Sequence, residues 1–258
     1  GGDLATGVIH KLHQSGYQVL ILECDRPSAI RRHVAFCEAV YDGTAEVEGV
    51  VCRRITENDI RTQCRKCWAQ GEIPLLTDTH GKHIRELEPE AVIDAILAKK
   101  NLGTRISDAP LVIGIGPGFT AAGDCHFVIE TQRGEHLGEV IREGSAIPNA
   151  GIPGNIGGYT VERLLKASAD GIMHPVARIG DVVKKGQIVA RCGDEPVYAR
   201  LHGIVRGMLQ EGVPVKKGLK IGDVDARIEG KLCYTISDKA RKIGNGVAEA
   251  IDLVYKTK

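Results

Sequence analysis

Apolar residues at Leu4, Val8 and Leu12 repeat at the spacing of one helix face, and the run Gln18-Val-Leu-Ile-Leu-Glu23 that follows is strand-like. Further strands are predicted at Val47 to Arg53 and Ile73 to Thr77, with a helix between them over Asn58 to Gln70. Pro89 to Lys100 reads as another helix, because proline suits a first turn and lysines suit a last one. Leu111-Val-Ile is an apolar strand that breaks into glycines, and His126 to Ile141 reads as a hairpin turning near Arg133-Gly134. Alternation of this kind predicts an α/β class, with a Rossmann-like, mostly parallel sheet in the front half.

The pattern changes after residue 168. Ile179-Gly-Asp-Val-Val-Lys-Lys-Gly-Gln-Ile-Val-Ala is echoed by Glu211-Gly-Val-Pro-Val-Lys-Lys-Gly-Leu-Lys-Ile-Gly, and at the same offset of 32 residues Gly171-Ile172 matches Gly203-Ile204. Each copy reads as short strands with turns at Gly180-Asp181 and Lys185-Gly186. The repeat resembles the hairpins of lipoyl and biotinyl domains, so a barrel-sandwich β domain is expected over 169–229. Such a domain carries its prosthetic group on a lysine in the turn between its halves. The corresponding stretch, Arg191 to His202, holds no lysine, so a swinging-arm carrier is disfavoured and docking, ligand enclosure or structure remain. The expected division is 1–168, Rossmann-like; 169–229, the repeat; and 230–258, a C-terminal strand and helix.

Candidate chemistry lies in two glycine loops. Gly1-Gly-Asp-Leu-Ala-Thr-Gly opens the first helix, with Gly2 and Ala5 as the second and third small residues of a G-x-G-x-x-A turn. Glu23 then ends the next strand where a ribose-binding acid is expected. Glycine lets the backbone approach a phosphate, and the helix start offers free N–H groups, which puts Gly1, Gly2, Asp3 and Thr6 beside the ligand. Such a turn follows a strand, so a strand is expected ahead of Gly1. Asp3 is unusual at a dinucleotide site, because its carboxylate repels an anion. The second loop carries Gly114, Gly116 and Gly118 at the carboxyl end of a strand, where ligands of α/β sheets sit. Asp124 and His126 follow; in an extended segment they share one face, as an acid/base pair would. Ile147 to Tyr159, dense in glycine and proline, is expected to be a lid or cofactor strap.

Composition narrows the classes. With a formal net charge of +1 there is no basic field for nucleic acid, and no apolar run approaches the roughly 20 residues that span a bilayer. No leader-like segment is evident, and the eight cysteines lack a disulfide framework, so a reduced, cytoplasmic protein is expected. Cys64 and Cys67 supply two ligands where a structural zinc wants four, and no metal site is expected. Arg31, Arg32, Lys99 and Lys100 are within reach of an anionic ligand, although most surface charges are simply solvated. Self-association into a homo-oligomer is left open.

Taken together, Gly1-Gly-Asp-Leu-Ala-Thr-Gly, Arg31-Arg32 with Val34-Ala-Phe, Asp94-Ala-Ile-Leu-Ala-Lys, Gly116-Pro-Gly-Phe, Ile129-Glu-Thr-Gln-Arg-Gly, Pro153-Gly-Asn-Ile-Gly-Gly-Tyr and Lys217-Gly-Leu-Lys-Ile-Gly-Asp-Val-Asp resemble the YqeB family nearly end to end. The resemblance implies an accessory role in maturing a selenium-dependent molybdenum hydroxylase, with a nucleotide or molybdopterin-type cofactor as ligand and the hydroxylase or its maturation machinery as partner. It supplies no catalytic residues. One expectation is a non-catalytic protein that binds such a cofactor between the glycine loops and docks its client through the repeat, or serves only as a docking scaffold. The other is a nucleotide-dependent oxidoreductase or transferase in which Glu23 holds a ribose and Asp124 with His126 moves a proton.

Overall fold

The computed structural model describes residues 1–149, 151 and 154–256, so part of the expected strap, residues 150, 152 and 153, lies outside them. The front of the chain forms two four-stranded sheets. The first has the order β1 (Ile21–Glu23), β4 (Ile73–Thr77), β3 (Val50–Ile55), β2 (Thr44–Val47), and the second β5 (Ala91–Asp94), β6 (Leu111–Ile115), β7 (Phe127–Ile129), β8 (Val140–Ile141). Each is parallel except for one antiparallel edge strand, β2 or β8. The expected single parallel sheet is thus two sheets among the described residues.

Helix α1 (Asp3–Gln14) joins them. Ala5 and Ile9 pack on the first sheet beside Ile21, Cys52, Ile73 and Leu75. Val8 and Leu12 pack on the second, beside Leu111, Ile113 and Ile129 and the C-terminal helix α5 (Asp238–Tyr255). The two helices run side by side in the same direction: Gly7 faces Ala240, Gly244 faces Gly7 and Lys11, and the Tyr17 hydroxyl donates to Asp252 at 3.4 Å. A Cβ on Gly7 would lie 2.7 Å from the Ala240 carbonyl oxygen, so this crossing requires glycine. Both helix starts therefore lie at one end of the molecule.

Two other helices, α2 (Ala39–Asp42) and α4 (Ile84–Leu87), are single turns. Helix α3 (Ile60–Ala69) appears where expected, with Asp59 accepting from the Thr62 amide at its start. Its Cys64 and Cys67 are buried against Ile55, Ile60 and Leu76, as apolar side chains would be. The expected strand from Val47 is a hairpin instead, β2 and β3 turning through Glu48 and Gly49, both at positive φ.

The helix expected over Pro89 to Lys100 is absent. Strand β5 stands there, in parallel register with β6 from Ala91 opposite Leu111 to Asp94 opposite Gly114. The β-branched Val92 and Ile93 suit that pairing. Asp94 then accepts from the Ile96 amide at 3.0 Å and from the Thr104 hydroxyl at 2.6 Å, which turns the chain outward and stops any helix.

The second unit is two antiparallel sheets, β13 (Glu195–Tyr198), β12 (Ile188–Cys192), β10 (Gly171–Pro175), β15 (Pro214–Val215), and β11 (Val182–Val183), β14 (Gly203–Met208), β16 (Lys220–Asp225), β9 (Leu164–Lys166). They share one apolar cluster containing Leu165, Met173, Val183, Val189, Val205, Met208, Val215, Ile221 and Val224. The sequence repeat survives down to single hydrogen bonds. Met173 N to Val213 O at 3.0 Å has its counterpart in Val205 N to Asp181 O at 2.8 Å, and Gly212 N to Met173 O in Gly180 N to Val205 O, both 2.9 Å. Strand β9 belongs to this unit although it precedes residue 169. The C-terminal segment begins with a 3-10 turn, Gly230–Cys233, where a strand was expected, and α5 returns to the front unit.

A short strap locks the units together. Ile30 O accepts from Met208 N at 2.8 Å, and Arg31 Nη2 donates to the carbonyls of Leu232 and Thr235 at 3.0 and 2.9 Å. Arg32 Nε donates to Met208 O at 2.8 Å, its Nη1 to Gln210, and the same Nη1 lies 3.5 Å from Glu38 Oε2. Burial pushes the Glu38 carboxyl up to about 7 against the opposing pull of Arg32. A carboxyl that keeps its proton to higher pH in the folded state makes folding less favourable as pH rises from 4.5 to about 7. Glu38→Gln should therefore raise the melting temperature at pH 8 and give no gain at pH 4. Gly7→Val should cost about 1–3 kcal/mol through overpacking, read from urea unfolding.

Candidate functional site

The first glycine turn is built as much for packing as for a ligand. Gly1 O accepts from Cys37 N and from the Thr6 hydroxyl, both at 3.0 Å, and Thr6 Oγ1 accepts from Phe36 N at 3.0 Å. A Cβ on Gly1 would meet Cys37 N at 2.9 Å. Gly1 and Thr6 therefore stitch the segment at Phe36 and Cys37 to the helix start. Glu23 stands beside them, its Oε2 accepting from Gly1 N at 2.8 Å and its Oε1 from Cys24 N at 2.9 Å. Gly2 is the N-cap of α1, with no side chain capping the helix and open space around its Cβ position. Asp3 follows, its Oδ2 3.6 Å from Arg31 Nη1. The structure thus brings Gly1, Gly2, Asp3, Thr6 and Glu23 together, and leaves only the Gly2–Asp3 corner open.

Each glycine of the second loop answers to a protein neighbour. A Cβ on Gly114 would strike the Phe119 ring at 2.5 Å; on Gly116, at φ +80°, it would meet Thr131 Oγ1 at 2.8 Å; on Gly118, at φ +113°, it would meet the Lys100 backbone at 2.6 Å. Gly116 N donates to Ile129 O at 2.9 Å. These close approaches account for the three glycines without a ligand.

Asp124 and His126, expected as an acid/base pair, are each engaged with a backbone amide. Asp124 Oδ2 accepts from Thr120 N at 2.8 Å, and His126 Nδ1 accepts from Val112 N at 3.0 Å. Val112 lies near the amino end of β6, opposite to the end where ligands of parallel sheets sit. Both side chains satisfy strand and turn amides, so Asp124→Ala and His126→Ala should each lower stability by about 1 kcal/mol. Ligand binding, read by titration calorimetry, should be unchanged in both.

Sequence reasoning passed over the cations that gather at the Gly2–Asp3 corner. The face of the β14–β16 pair turned away from its apolar cluster carries Arg206, Asp223 and Asp225, buried at 6%, 3% and 2% exposure. Asp223 pairs with Arg163 Nη1 and lies 3.9 Å from Arg206 Nη1; Asp225 holds Arg227 in a bidentate pair at 2.9 and 2.6 Å. Arg31 and Arg163 are each 8% exposed, yet the Nε of each lacks a hydrogen-bond partner among the described residues. Such buried orphan donors are uncommon.

Three further cations converge from separate elements: Lys220 on β16, Lys239 in the first turn of α5, and Arg133 after β7. The side chain of none of them makes a hydrogen bond or ion pair among the described residues. Lys220 and Arg133 are exposed and Lys239 is half-buried, and partial desolvation lowers all three below their ordinary values. At Lys239 Arg133 adds to it, at Lys220 Arg163 and Arg206 oppose the pull of Asp223, and at Arg133 Arg206 and Arg163 add to it. Asp3 is the carboxylate that Lys220, Lys239 and Arg31 share. Its odd placement in the sequence has a structural counterpart, since its carboxylate stands among these cations. The neighbouring Glu130 is already occupied, accepting from the amides of Thr131, Gln132 and Ile147. The signal that could have found this site was charge inside strands, Arg206 in Gly203–Met208 and two aspartates in Lys220–Asp225.

Fold and site together define a mixed α/β protein with a cationic seam between a parallel-sheet unit and an antiparallel unit. The chain belongs to the YqeB family: it is 48% identical over 250 residues, 97% of its length, to "Uncharacterized protein YqeB" of Escherichia coli (strain K12). It spans 46% of that relative's length. No family model matches the chain. An aspartoacylase family protein of Mesorhizobium loti aligns with 24% of this chain and 22% of its own, at 17% identity and a TM-score of 0.23. No helix among the described residues is long and apolar enough to cross a membrane.

Proposed function

We propose that this chain is a non-catalytic binding protein that holds a phosphate-bearing ligand, of nucleotide or pterin type, in the seam between its two units. The observation that carries the reading is that Lys220 and Lys239 both feel the Asp3 carboxylate at the uncapped start of α1, beside Arg31, whose buried Nε has no partner among the described residues. Backbone N–H groups at a helix start and desolvated cations both favour an anion. An enzymatic reading has less support, because Asp124 and His126 are engaged with backbone amides.

In this reading the front unit is a Rossmann-like ligand platform. The antiparallel unit is a barrel-sandwich of the lipoyl/biotinyl kind without its acceptor lysine, a reading supported by the paired hydrogen bonds of its two halves. That unit contributes Lys220, Arg163 and Arg206 to the seam and leaves its outer faces for docking. A molybdenum hydroxylase or its maturation machinery as client rests on the family resemblance alone. The eight cysteines are free thiols, which supports a reducing, cytoplasmic setting.

A thermal-shift screen against NAD, NADP, ATP, GTP, CTP, flavin nucleotides and a pterin phosphate tests the role. A ligand at 100 times its dissociation constant adds about 2.7 kcal/mol and raises the melting temperature measurably. The expected hits carry phosphate, and the matching nucleosides give no shift. A shift produced equally by the nucleosides would overturn the reading.

A further inference from the structure

Each of the two front sheets ends on an antiparallel strand at one side, β2 or β8, and on a bare parallel strand at the other, β1 or β5. The two bare edges belong together. Leu4, Val19 and Ala95 pack on the apolar clusters of both sheets at once, under the α1 that covers both. Both strands also run the same way. The Tyr17 hydroxyl, shortly before β1, donates to Asp252 near the end of α5, and the Tyr255 hydroxyl, at the last residue of α5, donates to Glu90 O immediately before β5 at 2.9 Å. At the far end of β1, Glu23 meets Gly1, where α1 starts. No hydrogen bond joins β1 to β5 among the described residues. Their side chains are incompletely covered: Leu22, Ala91, Val92 and Ile93 are half-buried, whereas every residue of β6 is buried. Strands of parallel sheets are ordinarily buried on both faces.

We propose that β1 and β5 flank a slot for one further strand, parallel to both, and that its occupant is the strand leading into Gly1. A strand pairs at roughly 4.8 Å on each side, so a single one bridges two edges that face each other. The direction of the slot selects the occupant. Gly1 N donates to Glu23 Oε2 at 2.8 Å, so a chain running along β1 in the direction of β1 arrives at Gly1 and passes straight into α1. The occupant is apolar and β-branched, because it lies in the interior of a parallel sheet, and it contains no proline, because both of its edges pair. With it in place the two sheets become one, parallel except at β2 and β8, and Gly1-Gly2 becomes a strand-to-helix turn at the carboxyl end of the sheet. The slot goes beyond the ligand reading and does not depend on it.

Fusing about five valine and isoleucine residues, a typical strand length, directly ahead of Gly1 of the full chain tests it, with the same fusion interrupted by a central proline as control. Amide exchange in β1 and in β5 should each slow at least about tenfold in the first fusion and stay unchanged in the second, with folding verified by circular dichroism and oligomeric state matched by gel filtration. The same segment is also added to the unfused chain as a free peptide. Should the free peptide protect both edges while the fusion protects neither, the slot belongs to a segment of another chain and the proposed occupant is overturned. Protection of one edge alone, equal protection by the proline fusion, or no protection by fusion or free peptide overturns the slot itself.

Discussion

The arrangement depends on one strap, Ile30 to Arg32, that crosses from the α/β unit to the antiparallel unit. Its contacts are largely to backbone: Ile30 O with Met208 N, Arg32 with Met208 O, Arg31 with the carbonyls of Leu232 and Thr235. A Cβ on Gly207 would lie 2.8 Å from Ile30 O, so the strap also fixes the residue beside it. Removing one guanidinium would leave buried carbonyls unpaired, which costs more than the bond itself contributes. The strap thus holds the charged face of the β14–β16 pair against the start of α1.

That placement explains why so many charges tolerate burial. Arg163, Arg206, Asp223 and Asp225 form an interlocked set, and pairing offsets the desolvation each would suffer alone. The set is not closed, because the buried Nε atoms of Arg31 and Arg163 remain without partners among the described residues. A structural network completed by its own carboxylates leaves no such surplus. The parallel run of α1 and α5, imposed by the contact of Gly7 with Ala240 and Gly244, brings both helix starts to the same end and adds to the positive potential there.

Much of this was legible in the sequence. The repeat at Gly171 and Gly203 predicted the antiparallel unit, and the Leu4-Val8-Leu12 spacing predicted α1, because both patterns are local. The segment at Ala91 to Asp94 was misread because its strand is decided by a partner, β6, and by the Asp94 side chain, neither visible in a window of the chain. At the candidate site, Gly2, Asp3 and Arg31 were singled out from motif and charge. Lys220, Lys239, Arg133 and Arg206 were not, because they lie far apart in sequence and meet only across the seam. Gly114, Gly116 and Gly118 look alike whether a phosphate or a Phe119 ring demands the missing side chain.

Amide hydrogen exchange with and without a saturating nucleotide tests the central claim, that one seam built from both units holds the ligand. Slowed exchange is predicted together in the first turn of α1, around Arg133, in the first turn of α5 and at the start of β16. Slowing confined to the Gly114–Gly118 loop, or to one unit alone, would contradict it.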